Sequence, residues 1–267
     1  MNIFALGKTA HNIADKFVKY PQYKIHKLVV EEQDHPEKYD EKTNHIPVDV
    51  KDDTDIDFFV SGDEIICAAS LTILEKYKDN NIRIFYIKPN TKFLTDVQKT
   101  TDKIVYNVLQ EYTRSKKFDS MYIVTYEDVV KMVGKIPIVG YYDKLNAVIA
   151  DTIHMINFLD HNEPVLGNEL EPLPTYCINT IGIMDVDSGN ESLFFNLDEC
   201  REKRYYYCIN DKQLETDGDL FETLTTQMEQ KTEEFVKNSF GVYSTSFDKN
   251  YCYIVEKSPH IQKWKHQ

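Results

Sequence analysis

Two short stretches hold residue types suited to gripping an anion and an aromatic ring. Gly7-Lys8-Thr9 follows an apolar run over residues 1–6 and precedes residues 13–19, which read as helix. Strand, glycine turn and helix in that order present backbone amides to a phosphate. The G-x-x-x-x-G-K-[ST] spacing of a P-loop is absent, so the alternative is an ordinary turn with Asn12 near the helix start. Tyr142 and Asn146 open a long apolar segment. A phenol ring there can stack on a purine, and an amide can pair with its edge; the alternative is a buried aromatic beside a first-turn polar residue. In Ser61-Gly62-Asp63-Glu64 a single glycine could let the backbone approach a phosphate. The two acids after it would repel a triphosphate unless a divalent cation intervened. Glu169 and Glu171 are candidate acids for activating water, with solvated surface glutamates as the alternative. No Ser/His/Asp or Cys/His pairing stands out.

Residues 142–160 must position much of this. Leu145, Val148, Ile149, Ile153, Ile156 and Leu159 recur at spacings of three and four, and Ala147, Ala150, Met155 and Phe158 widen the apolar surface. Such a helix is buried on most sides. Before it, strands are expected at 1–6, 23–30, 56–60, 82–87 and 121–124, with helices at 64–78, 95–112 and 129–133. After Pro164 the pattern changes. Strands are expected at 175–184 and 204–209, a helix at 220–237, and a hairpin of 240–247 with 251–256 around Asp248-Lys249-Asn250. Asp185 to Asn190 lacks the glutamate spacing of a calcium loop and reads as a plain turn.

These motifs resemble the tubulin/FtsZ superfamily. His11-Asn12-Ile13-Ala14-Asp15-Lys16-Phe17 is similar to the N-Q-I-G-A-K-F that follows the first glycine loop of tubulin, and Tyr142-Asp143-Lys144-Leu145-Asn146 resembles the start of its central helix. Val165-Leu166-Gly167-Asn168-Glu169 is similar to the loop after that helix. The resemblance covers residues 1 to about 259 in element order and is specific at 7–17, 82–89 and 142–146. It implies an α/β fold with a Rossmann-like nucleotide-binding domain at 1–163, including the central helix, and a smaller α+β domain at 164–267. It also implies GTP or GDP, with Mg²⁺, held by Gly7, Lys8, Thr9, Asn12, Gly62, Tyr142 and Asn146, and Glu169 or Glu171 acting across a subunit contact. The partner is a second copy of the chain, joined head to tail. Two departures matter. The G-G-G-T-G-[ST]-G signature is reduced to Gly62, and Leu170 stands where the acid is expected. Slow or absent hydrolysis follows, and a protein keeping the fold without nucleotide remains open. An ordinary Rossmann enzyme is disfavoured because G-x-G-x-x-G does not follow the first strand.

Composition sets the outer bounds. The 267 residues carry 44 acidic and 31 basic side chains, a net charge of −13, which argues against nucleic acid as a main partner. At 42% apolar residues the chain can build a core. Five scattered cysteines read as reduced thiols, and no apolar run nears the ~20 residues of a membrane span. A cytoplasmic protein is expected.

Overall fold

A computed structural model describes residues 1–31, 33, 35–39, 48–51, 53–168 and 175–264. The first half alternates strand and helix: β1 (Asn2–Leu6), α1 (Lys8–Ala14), β2 (Lys24–Leu28), β3 (Asp55–Ser61), α2 (Ser70–Glu75), β4 (Asn81–Lys88), α3 (Asp96–Arg114), β5 (Ser120–Thr125) and α4 (Tyr126–Val133). The strands lie in the order β2-β1-β3-β4-β5, all parallel. Parallel strands are covered on both faces, which is why Phe58-Phe59-Val60 and Ile84-Phe85-Tyr86-Ile87 are unbroken apolar runs. Alternation still sorts the side chains. Ile3 and Ala5 face the α1 side, whereas Phe4 and Leu6 face the α3 side.

The long helix α5 (Tyr141–Asp160) begins one residue before its expected start. It packs on α1 and α4 and also on two later strands, β7 (Ile178–Asp185) and β11 (Tyr251–Ser258), and so touches both halves of the chain. A short pairing, β6 (Leu166–Gly167), follows it. The second half adds β8 (Glu191–Leu193), β9 (Glu202–Asn210), α6 (Asp211–Thr216), α7 (Leu220–Gln230) and β10 (Lys237–Thr245). Strand β7 joins β5 through Met121↔Ile178 and Tyr122↔Asn179, and the sheet continues β7-β11-β9-β10-β6. Tyr206 and Cys208 of β9 face α5, while Tyr205, Tyr207 and Ile209 face α7.

Three local expectations are corrected. The hairpin does not form. Strands β10 and β11 are separated by β9, which pairs parallel with β10 and antiparallel with β11. The turn around Asp248 therefore spans a strand, about 10 Å at ordinary sheet spacing. Tyrosine-rich β9 buries both faces in this central place, and α6 and α7 form its crossover to β10. Residues 64–78 are not one helix but a 3-10 turn, Ile65–Ala69, followed by α2. The Cys67 amide bonds the Glu64 carbonyl and the Ser70 hydroxyl bonds the Cys67 carbonyl, tightening that stretch. Helix α7 stops at Gln230, where the Lys231 amide closes back on the Met228 carbonyl (3.2 Å), and β10 begins at Lys237 in register with Glu202.

Candidate functional site

Parallel strands end their carboxyl termini on one edge, and the loops beyond β1, β3 and β4 meet there with the starts of α4 and α5. A cavity of about 790 Å³ opens between them, within the range of small-ligand pockets. Lys8, Thr9, Asn12, Tyr142 and Asn146 line it, so five of the seven ligand residues inferred from sequence come together. Ser61, Asp63, Lys88, Phe93, Gln98 and Tyr126 line it as well.

At the aromatic end, Tyr142 is an exposed ring set edge-on to Tyr126 (5.3 Å) and Tyr141 (5.2 Å). Asn146 is buried, and its Oδ1 accepts a hydrogen bond from the Tyr126 hydroxyl at 2.5 Å. Its NH₂ group is then what Asn146 can offer a purine edge. Burial raises the Tyr126 phenol pKa, and the nearby Asp63 charge adds to this. Tyr126 was not among the ligand residues inferred from sequence.

The other end is built differently from expectation. Gly7 sits at φ 86, ψ 165, a conformation open to glycine. It caps α1 with no side-chain hydrogen bond, and the first turn holds no acid of its own. Glu64 supplies one from the next loop. Its Oε2 accepts the Lys8 amide and its Oε1 the Thr9 amide, both at 3.0 Å. The Thr9 hydroxyl donates to Asp63 Oδ2 at 2.8 Å, and Gln98 Nε2 donates to the Asp63 carbonyl at 2.7 Å. A Cβ on Gly7 would lie 3.1 Å from Glu64 Oε1 and 3.2 Å from Ile66 Cγ2, so the carboxylate packs tightly beside the glycine.

Gly62 also has another employment. A Cβ there would meet the Tyr86 hydroxyl at 2.5 Å and Asp102 Cγ at 2.7 Å. Its smallness lets β3 pass close to α3. Asp102 is fully buried. It accepts from the Tyr86 hydroxyl at 2.5 Å and from the Trp264 indole, which lies in the C-terminal segment strapped across α3. Burial raises its pKa, opposed by those hydrogen bonds and by the charge of Lys88. Lys88, only 2% exposed, lies just past the expected strand 82–87 and was not among the site residues inferred from sequence.

A guanine nucleotide fits this geometry at one end only. The ring and amide suit a base. The amides at the start of α1 are already bonded to Glu64, and Asp63 Oδ1 is a buried acceptor with no partner among the described residues. A phosphate would meet an acceptor where it needs a donor. Among the described residues no cluster of three or more His, Cys, Asp or Glu side chains could hold a metal ion. Glu169 and Glu171 lie outside the described residues. No helix among the described residues is long and apolar enough to cross a membrane.

No family model and no curated protein matches the sequence. Solved structures do match the fold. A GTPγS-form protofilament of TubZ from Bacillus thuringiensis serovar israelensis aligns with TM-score 0.68 at 10% identity, over 96% of this chain and 86% of that one. The GDP-form protofilaments of the same protein give 0.67 at 12%, over 96% and 83%. An empty FtsZ dimer from M. jannaschii gives 0.65 at 10%, over 96% and 87%. With its sheet order, its long helix touching both halves and its cleft at the strand ends, the chain has the tubulin/FtsZ fold.

Proposed function

We propose that this tubulin-like chain self-associates head to tail through surfaces at the two ends of α5. The observation that carries this is the placement of exposed apolar side chains. Ile138 and Val139, each 93% exposed, stand just before the helix beside Tyr142. Phe158, Val165 and Leu166 are exposed at its far end. Twenty helical residues span about 30 Å, so neither patch can cover the other within one chain. Exposed apolar clusters of this kind mark contact surfaces. Two different patches at opposite ends suit a heterologous contact, which leaves both ends of a dimer open for further copies. The protofilament forms of TubZ are consistent with that geometry. GTP or GDP, with Mg²⁺, is the ligand class the resemblance implies for the cleft, and only its base end meets side chains suited to it. Its base at Tyr142 would lie beside the upper patch, so occupancy and assembly would share residues.

Analytical ultracentrifugation with two variants tests the reading. Ile138→Asp/Val139→Asp and Val165→Asp/Leu166→Asp should each stay monomeric under conditions where the unaltered chain assembles. Mixed, they retain one intact pair of surfaces and should stop at dimers. Self-association of either variant alone, at wild-type strength, would show that the contact lies elsewhere.

A further inference from the structure

We infer that the Asp63-Glu64 turn is an internal latch that fills the phosphate end of the cleft and excludes nucleoside polyphosphates while it is closed. Three independent contacts hold it. The Glu64 carboxylate bridges the amides of Lys8 and Thr9, the Thr9 hydroxyl reaches Asp63, and the Gln98 amide grips the Asp63 carbonyl. Gln98 is itself fixed in the capping box of α3 with Thr95. The turn is therefore pinned to α1 on one side and α3 on the other.

The chemistry is a substitution of one anion for another. A helix start without a side-chain cap leaves amides that need acceptors and a positive dipole end that favours negative charge. Glu64 meets both needs from 55 residues away in the chain. The same carboxylate packs tightly beside Gly7, and Asp63, which holds the Thr9 hydroxyl through Oδ2, keeps its Oδ1 as a buried acceptor without a partner among the described residues. An entering polyphosphate must displace the turn, breaking charge-assisted hydrogen bonds, and must then lie next to two carboxylates. The latch also keeps α1 capped with no ligand present, so the cleft wall is formed in the empty chain. The inference concerns a single copy and stands whether or not the chain assembles.

The test uses a fluorescent GTP analogue with Mg²⁺, titrated into protein dilute enough to be monomeric. Wild type should bind at least tenfold more weakly than Glu64→Ala, and Glu64→Gln, which keeps one acceptor but no charge, should fall between. Circular dichroism confirms the fold of each variant. Wild type binding as tightly as Glu64→Ala, or a folded Glu64→Ala with no gain, overturns the latch. Amide hydrogen exchange on the ligand-free wild type gives a second reading that needs no variant. The Lys8 and Thr9 amides should be protected, and exchange at the rate of an open turn would overturn the proposal equally.

Discussion

Replacing Gly62 by alanine separates a glycine kept for packing from one kept for a ligand. The added Cβ would sit 2.5 Å from the Tyr86 hydroxyl, about 0.9 Å inside ordinary contact, and closer still to Asp102 Oδ1. Neither neighbour can swing away, since Tyr86 and Asp102 are both fully buried and bonded to each other. Overpacking of this kind costs about 1–3 kcal/mol. If the Tyr86–Asp102 hydrogen bond opens to make room, a buried group loses its partner for roughly another 1–3 kcal/mol. Gly62→Ala should therefore destabilise the fold by about 1–6 kcal/mol, the upper part only if that hydrogen bond opens, read as a lower guanidinium midpoint at unchanged slope. Gly218→Ala is the control. Nothing lies within 4 Å of its Cβ position, so stability should stay within about 1 kcal/mol of wild type. In an Asp102→Ala background the worst overlap is gone, and Gly62→Ala should cost markedly less than it does alone. A Gly62→Ala protein as stable as wild type would refute the packing account and return Gly62 to the phosphate.

The same measurements extend to two other sites. Asn146→Ala should cost roughly 1–3 kcal/mol of stability, because it strips the buried partner from the Tyr126 hydroxyl; the double variant with Tyr126→Phe should recover part of that loss, and strict additivity of the two changes would deny the coupling. His154 stacks on Tyr20 at 3.5 Å, and its Nδ1 faces the Tyr23 hydroxyl at 3.2 Å. Burial lowers its pKa from 6.5, Lys19 adds to this, and Asp151 opposes it. The unfolded chain thus binds a proton that the fold resists. Its contribution is full above pH ~6.5 and is lost as pH falls through the folded value. Stability of wild type relative to His154→Gln should decline from pH 7 to 5.5, and parallel pH profiles would count against it.

Much of this protein was settled by its order of residues. The apolar runs within β1, β3, β4 and β5 mark those strands in the sequence, and covering on both faces of a parallel sheet is what makes them apolar. The three- and four-residue spacing of Leu145, Ile149, Ile153 and Ile156 places α5 almost to the residue, because helical burial is periodic and local. Tyr142 and Asn146 meet Lys8, Thr9 and Asn12 because strands of one direction end on one edge. What the sequence left undecided was pairing across distance. Residues 237–258 contain two strands and a turn, which is also the pattern of a hairpin; only the burial available on both faces of β9 places it between them. Likewise Gly62-Asp63-Glu64 shows two acids beside a glycine loop, and charge alone predicts repulsion of a phosphate. That Glu64 bonds the Lys8 and Thr9 amides, and that Gly62 makes room for Asp102, depend on how closely α1 and α3 approach β3. Those are distances between segments remote in the chain, fixed only when the sheet and its helices close together.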